Sequence, residues 1–173
     1  MLFCLNILLL TSIYRSRISQ NMETKIETKI ENVFRIYKNE LIQKLGRKAL
    51  NNDTIDKYGK ILFQSKYRGS FAQNNKFEKK SGYYIINNDL ESGKGIHWVS
   101  LILTPKTAYV YDSFSRDPKK LLPHLIQHLK NYKIVSSDRK DKEQKGDSQI
   151  CGHASLAFLL TTQKLGIRSA IKI

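Results

Sequence analysis

The sequence predicts an α+β fold: a small, mostly antiparallel central sheet flanked by helices. Residues 22–50 contain strong helix formers, with apolar residues at three- and four-residue spacings. Short runs rich in β-branched and aromatic residues then alternate with turn residues between positions 83 and 111. A strongly apolar run begins at Cys151 and stops before Gly166, which is the pattern of a buried helix.

The elements follow from these patterns in chain order. The first helix carries an apolar stripe, and residues 54–63 form a second, shorter helix. The polar stretch 66–80 is interpreted as an irregular loop. Asp117 followed by Pro118 is a good helix start, although Pro123 should kink that helix. The stripe comprises Ile26, Ile30, Val33, Phe34, Tyr37, Leu41, Ile42 and Leu45. Strands are predicted at residues 83–87, 97–103, 107–111 and 134–136.

The first 21 residues form an apolar extension of doubtful status. The stretch up to Tyr14 lacks the basic start of a secretory signal and is too short to span a bilayer. It is either a weak membrane anchor or an upstream extension of a reading frame that begins at Met22, and we favour the second. We therefore expect one domain over residues 22–173, with a helical region at 22–63, no stable membrane association and a monomer.

The charge and cysteine content limit the partners and the compartment. The chain has 30 Lys and Arg against 15 Asp and Glu, a net charge of +15, which attracts polyanions. No homeodomain, zinc-finger or RNA-recognition pattern is present, so we expect DNA to be bound without sequence specificity. The two cysteines, Cys4 and Cys151, form no readable disulfide framework or metal pair, and they fit a reducing compartment.

Cys151 is the candidate nucleophile because it opens the predicted apolar helix. The N-terminal end of a helix carries unpaired amides and partial positive charge, which favours the reactive thiolate. A small buried core residue is the simpler interpretation of a lone cysteine. Because Cys151 lies at the start of the helix and not in its middle, a reactive cysteine is favoured over a structural one.

A nucleophilic cysteine needs a base and a group that orients the base. His97 opens a predicted strand, whereas His153 lies on the helix of Cys151 and points elsewhere. The pair His124 and His128 has metal-ligand spacing but no third ligand, so a solvated helix face is expected there. Asp112 ends the strand after that of His97, so a hairpin brings the two to the same sheet edge.

The oxyanion of an acyl-transfer reaction needs hydrogen-bond donors. The backbone amide of Cys151 is one candidate, and the side chain of Gln144 in the preceding polar loop is another. Gln149 is closer in sequence but immediately precedes the helix, so it ranks second. We expect no metal and no cofactor for the chemistry.

These residues occur in an order that resembles the adenovirus protease family. The segments are GIHW, YVYDSF and QKGDSQICG, within residues 60–166, and the seven-residue step from Gln144 to Cys151 also matches. The SUMO proteases of the same clan are similar more loosely. Such proteases occur in virophages, Polinton-type elements and large DNA viruses. In adenovirus enzymes the acid is Glu; here it is Asp112, and the clan accepts both.

The resemblance implies an α+β, papain-like cysteine protease with its nucleophile at the start of a buried helix. His97 would be the base, Asp112 the acid, Cys151 the nucleophile and Gln144 an oxyanion donor. Trp98 and Gly152 would line the substrate cleft.

The same resemblance implies a biological role. The substrates would be viral capsid and core precursors, cut beside glycine during virion maturation. The enzyme would act in the host cytoplasm or nucleus or in a viral factory, and would be packaged in the virion, with activation by DNA. Open alternatives are a ubiquitin-like-protein protease, an acetyltransferase of the same clan, or a non-enzymatic basic DNA-packaging protein.

Overall fold

A computed structural model gives a mixed α+β fold built on a five-stranded sheet. The structure describes the backbone of residues 2–137 and 149–173, and within those ranges the side chains of Gln20 and of residues from 22 onward. The helices in these ranges are α1 Leu2–Leu45, α2 Asn52–Phe63, α3 Pro118–Leu121, α4 Pro123–His128, α5 Cys151–Leu165 and α6 Ile167–Ala170. The strands are β1 Tyr67–Ala72, β2 Gly82–Asn87, β3 Trp98–Leu103, β4 Thr107–Tyr111 and β5 Lys133–Ser136.

The strands lie in the sheet in chain order, from β1 to β5. The three central strands pair antiparallel, as the sequence predicts for neighbouring strands. The two outer strands each run parallel to their neighbours. The sheet is therefore antiparallel at its centre and parallel at both edges.

Strand β1 lies where the sequence analysis predicted an irregular loop, so that prediction was wrong. The strand contains Gly69 at φ 120° and has an irregular register between Tyr67 and Gly69, which weakens its sequence pattern. Its outer amides are bonded by side chains: Ser70 N–H donates to Asp56, and Ala72 N–H donates to Asn75. Pairing with β2 and these two side-chain hydrogen bonds stabilise β1, although its composition alone does not favour a strand.

Two apolar layers cover the two faces of the sheet. One layer packs α1, α2 and α5 on the face that includes Tyr83, Ile85, Trp98 and Ile102. The other packs residues of α3 and α4, together with Phe71 and Phe77, on the opposite face. The kink predicted at Pro123 separates α3 from α4, and Asp117 caps the start of α3. The side of the sheet that α5 covers is the side on which the candidate nucleophile lies.

Helix α1 matches its predicted apolar stripe only from Ile30 onward. Ile30, Phe34 and Leu41 are buried in the core, whereas Ile26 is 50% exposed and was wrongly assigned to the stripe. The helix begins at Leu2 and continues without a break to Leu45. The residues described from 22 to 29 are all exposed, so periodicity alone overestimated how far the core extends along this helix.

Within the described ranges, no helix combines the length and the apolar character that crossing a membrane requires.

Helix α5 is bound to β3 by two reciprocal hydrogen bonds. Ser100 Oγ donates to the Ser155 carbonyl at 2.9 Å, and Ser155 Oγ donates to the Trp98 carbonyl at 3.1 Å. Both serines are buried, so each bond forms without competition from water. These bonds fix the position of α5 along β3.

We expect Ser155→Ala to lower the free energy of unfolding by about 1–2 kcal/mol, because it removes the buried hydroxyl that donates to the Trp98 carbonyl. Urea denaturation measures the loss. Ser92→Ala at an exposed position is the control and should change nothing. Equal stability of the Ser155 variant and the wild type would contradict the role of this contact.

Candidate active site

His97 and Asp112 meet at one edge of the sheet. His97 immediately precedes β3 and Asp112 immediately follows β4, and the antiparallel register brings these two ends together. The His97 Nε2 and Asp112 Oδ1 atoms are 2.5 Å apart, and both side chains are buried. The hairpin geometry therefore brings together the two residues that the sequence paired.

Cys151 is the first residue of α5 and is buried beside His97. Burial raises the pKa of its thiol, but hydrogen bonds with His97 and the backbone of Trp98 and Gly152 outweigh this effect, so the pKa is lowered. Because His97 Nε2 is bonded to Asp112, Nδ1 is the ring nitrogen that remains for the thiol. The three side chains thus form one hydrogen-bonded series.

Charge in this series favours a thiolate next to an imidazolium. Burial lowers the pKa of His97, but its hydrogen bonds to Asp112 and Cys151 outweigh burial and the pKa is raised. Burial raises the pKa of Asp112, but hydrogen bonds from His97 and Arg116 hold it well below its usual range. The raised pKa of His97 and the lowered pKa of Cys151 both favour an ion pair near neutral pH.

Phe114 and Arg116 were not predicted from the sequence, which gave no role to the segment directly after Asp112. The Phe114 ring centroid lies 5.1 Å from that of His97. Arg116 donates to both oxygens of Asp112, with Nε 2.8 Å from Oδ2 and Nη2 3.2 Å from Oδ1. The four-residue spacing of an acid and an arginine was the available signal.

The start of α5 supplies donors for an oxyanion. Its N-cap residue, Ile150, makes no side-chain cap bond, and the first amides of a helix have no acceptor inside it. Gln144, predicted as the side-chain donor, lies outside the described residues. Gln149, ranked second, is described and exposed.

A cleft of about 410 Å³ opens at Cys151. Trp98, which the resemblance assigns to a substrate cleft, lies in the wall of this one, and its indole N–H donates to the Leu50 carbonyl at 2.8 Å. Gly152, also predicted in the cleft, is buried behind that wall: a Cβ there would lie 3.1 Å from Leu50 Cβ. Gly152 therefore allows α5 to approach Leu50, which itself lines the cleft.

One rim of the cleft is the connection between β2 and β3. Asn87 Oδ1 accepts hydrogen bonds from the amides of Asp89 and Ile96, and Asp89 accepts from those of Leu90 and Gly95. These bonds hold a defined loop in which Leu90 is 40% and Ile96 74% exposed. The cleft therefore has apolar side chains on its rim next to the buried histidine.

Two of the remaining histidines lie on α4, which packs on the sheet face opposite α5. His128 Nε2 lies 3.2 Å from the Phe77 carbonyl, and His124 is exposed on the same short helix. Among the residues that the structure describes, no three His, Cys, Asp or Glu side chains are grouped as metal ligands. His153 is fully buried in α5.

A comparison with protein-family models gives no match for this chain, and a comparison with curated proteins gives no significant one.

His153 should make the fold sensitive to acid. Burial lowers the pKa of His153 below its ordinary value of 6.5, and the Gly46 backbone only partly opposes this. The unfolded chain then binds the proton more readily, so stability falls as pH falls through 6.5. Relative to His153→Gln, which cannot titrate, wild type should lose up to about 1.4 kcal/mol per pH unit in this range.

The measurement is the difference in unfolding free energy between the two proteins from pH 7.5 to 5. Titration of His97 occurs in both and cancels in this difference. A difference that stays constant with pH would contradict the prediction.

Proposed function

We propose that this protein is a cysteine endopeptidase in which Cys151 is the nucleophile, His97 the general base and Asp112 the group that orients the base. The observation that supports this most directly is the buried hydrogen-bonded series Cys151–His97–Asp112, which lies at the start of a helix and at the end of a cleft. A lone structural cysteine requires neither the imidazole nor the cleft.

In the proposed reaction, the Cys151 thiolate attacks the carbonyl carbon of a peptide bond, forming a C–S bond. The carbonyl oxygen gains negative charge, which the amide groups at the start of α5 stabilise. The protonated His97 then donates its proton to the leaving amine as the C–N bond breaks. Water, deprotonated by His97, attacks the thioester and releases the acid and the thiolate.

Asp112 stabilises the imidazolium that this cycle passes through. Its hydrogen bond with His97 Nε2 holds the ring so that Nδ1 is directed to the thiol. We assign Gln144 the second oxyanion donor on the resemblance to adenovirus proteases.

The substrate class rests on the same resemblance. We propose that the substrates are viral capsid or core precursors, cut next to glycine during virion maturation. A ubiquitin-like fusion protein and an acetyl acceptor are the alternative substrates on the same residues. Cleavage of a precursor peptide, cleavage of a ubiquitin-like fusion, or dependence on acetyl coenzyme A would distinguish these three.

The full-length chain should cleave glycine-containing peptides, and mass spectrometry should identify the products. Cys151→Ala should abolish cleavage, and His97→Ala should lower kcat/KM by roughly 10²–10⁴-fold because the proton transfer is lost. Asp112→Asn should also lower it while leaving the fold intact. Cys4→Ser is the control for the chain's other thiol and should cleave like wild type.

Full activity of the Cys151→Ala variant would refute the assignment of the nucleophile. The proposal that the protein is an enzyme would be refuted if the wild type were inactive on precursor peptides and on ubiquitin-like fusions, with and without DNA or acetyl coenzyme A.

We also propose that DNA binds the basic surface without sequence specificity. The segments that cover the sheet face opposite α5 carry exposed lysines, which are Lys76, Lys79, Lys80, Lys119, Lys120 and Lys130. Phosphate contacts of this kind weaken steeply as salt increases. If the wild type shows no enzymatic activity but binds DNA, and charge reversal at these lysines abolishes that binding, the non-enzymatic packaging protein is favoured.

A further inference from the structure

Both oxygens of the Asp112 carboxylate are occupied, and Arg116 supplies most of the donors. His97 Nε2, Arg116 Nη2 and the Phe114 amide contact Oδ1 at 2.5, 3.2 and 3.3 Å. The Arg116 Nε and backbone N–H contact Oδ2 at 2.8 and 3.0 Å. A carboxylate held by a planar two-pronged guanidinium cannot rotate without breaking several bonds.

The turn that follows β4 brings Arg116 back to the carboxylate. Ser115 N–H donates to the Asp112 carbonyl at 2.9 Å, and Ser115 itself has a φ of 53°, in the left-handed region. The guanidinium lies 5.0 Å from the centroid of Phe114, whose ring also contacts His97. The arginine is thus fixed by the backbone, by the ring and by the carboxylate.

We propose that Arg116 is a positioning residue for the reaction: its fork fixes the Asp112 carboxylate, and its charge limits how strongly that carboxylate holds the proton on His97. This inference rests on the proposed function. Arg116 lies on the far side of Asp112, and it acts on the thiol only through Asp112 and His97.

Within residues 22–137 and 149–173, few charged side chains lie around this series. His97, just before β3, faces Asp112 and, from α5, Cys151. Asp112 faces His97 and Arg116. Asp117 lines a pocket of about 330 Å³ together with Asp112 and Arg116. One carboxylate is therefore shared by an imidazolium and a guanidinium. Removal of the guanidinium leaves the imidazolium with an uncompensated carboxylate, which holds the proton more tightly.

Two variants separate the effect of the guanidinium fork from the effect of its charge. Arg116→Lys keeps the charge but loses the fork, whereas Arg116→Gln loses both. The measurement is the pH profile of Cys151 alkylation by iodoacetamide in a full-length Cys4→Ser background. The alkylation rate of an ion-paired thiol changes in two steps as the pH rises. The step at higher pH, called the upper step, reports loss of the His97 proton. Peptide cleavage provides kcat and KM in parallel.

We expect both variants to lower kcat by roughly 10- to 100-fold with little change in KM, because the base is misaligned. The upper step should move to higher pH in Arg116→Gln and stay in place in Arg116→Lys. Lys106→Gln removes an exposed charge in the turn between β3 and β4, away from the lysines proposed to bind DNA, and is the matched control; it should change neither quantity.

If Arg116→Gln has the alkylation pH profile and the kcat of the wild type, the positioning role of Arg116 is refuted, while the proposed protease activity stands. Equal losses in both variants, with a lower Tm and an unmoved upper step, would also overturn it, since Arg116 would then only stabilise the fold. A wild-type Cys151 that reacts no faster than an ordinary thiol would instead refute the ion pair, and with it both proposals.

Discussion

The rest of the site depends on the contact between β3 and α5. His97 immediately precedes β3, Asp112 immediately follows the antiparallel partner β4, and α5 starts at Cys151. Only the position of α5 along β3 decides whether the thiol meets the imidazole. The reciprocal bonds of Ser100 and Ser155 set that position from inside the core. A cysteine, a histidine and an acid far apart in sequence are thereby placed together on rigid elements, as precise catalytic geometry requires.

The electrostatics of the site follow from this placement. Burial alone would oppose charge on all three side chains. Hydrogen bonding along the series outweighs that opposition, so the pKa of Cys151 falls and the pKa of His97 rises. The Asp112 carboxylate makes this possible because backbone amides and Arg116 satisfy it in addition to His97.

The sequence predicted the parts of the fold and site that local patterns determine. Residues 107–111 and 151–165 were assigned with the bounds that β4 and α5 have, because turn residues and Gly166 mark their ends. The pairing of His97 with Asp112 followed from hairpin logic. Strand β1 was missed because its stability comes from β2 and from Asp56, which no local pattern reveals. Arg116 was missed for a similar reason: its role depends on the turn at Ser115. The close packing of Gly152 against Leu50 was also not predicted, because it depends on how α5 packs against a residue distant in sequence.

The central claim is that Cys151 and His97 form an ion pair, and the ultraviolet absorbance of the thiolate tests it most directly. The titration uses the full-length Cys4→Ser chain, with Cys151→Ser subtracted to remove the nine tyrosines' absorbance. We expect a thiolate that forms below the ordinary thiol pKa of 9.0 and a midpoint that moves towards that value in His97→Ala. A midpoint at the ordinary value, unchanged by loss of His97, would contradict it.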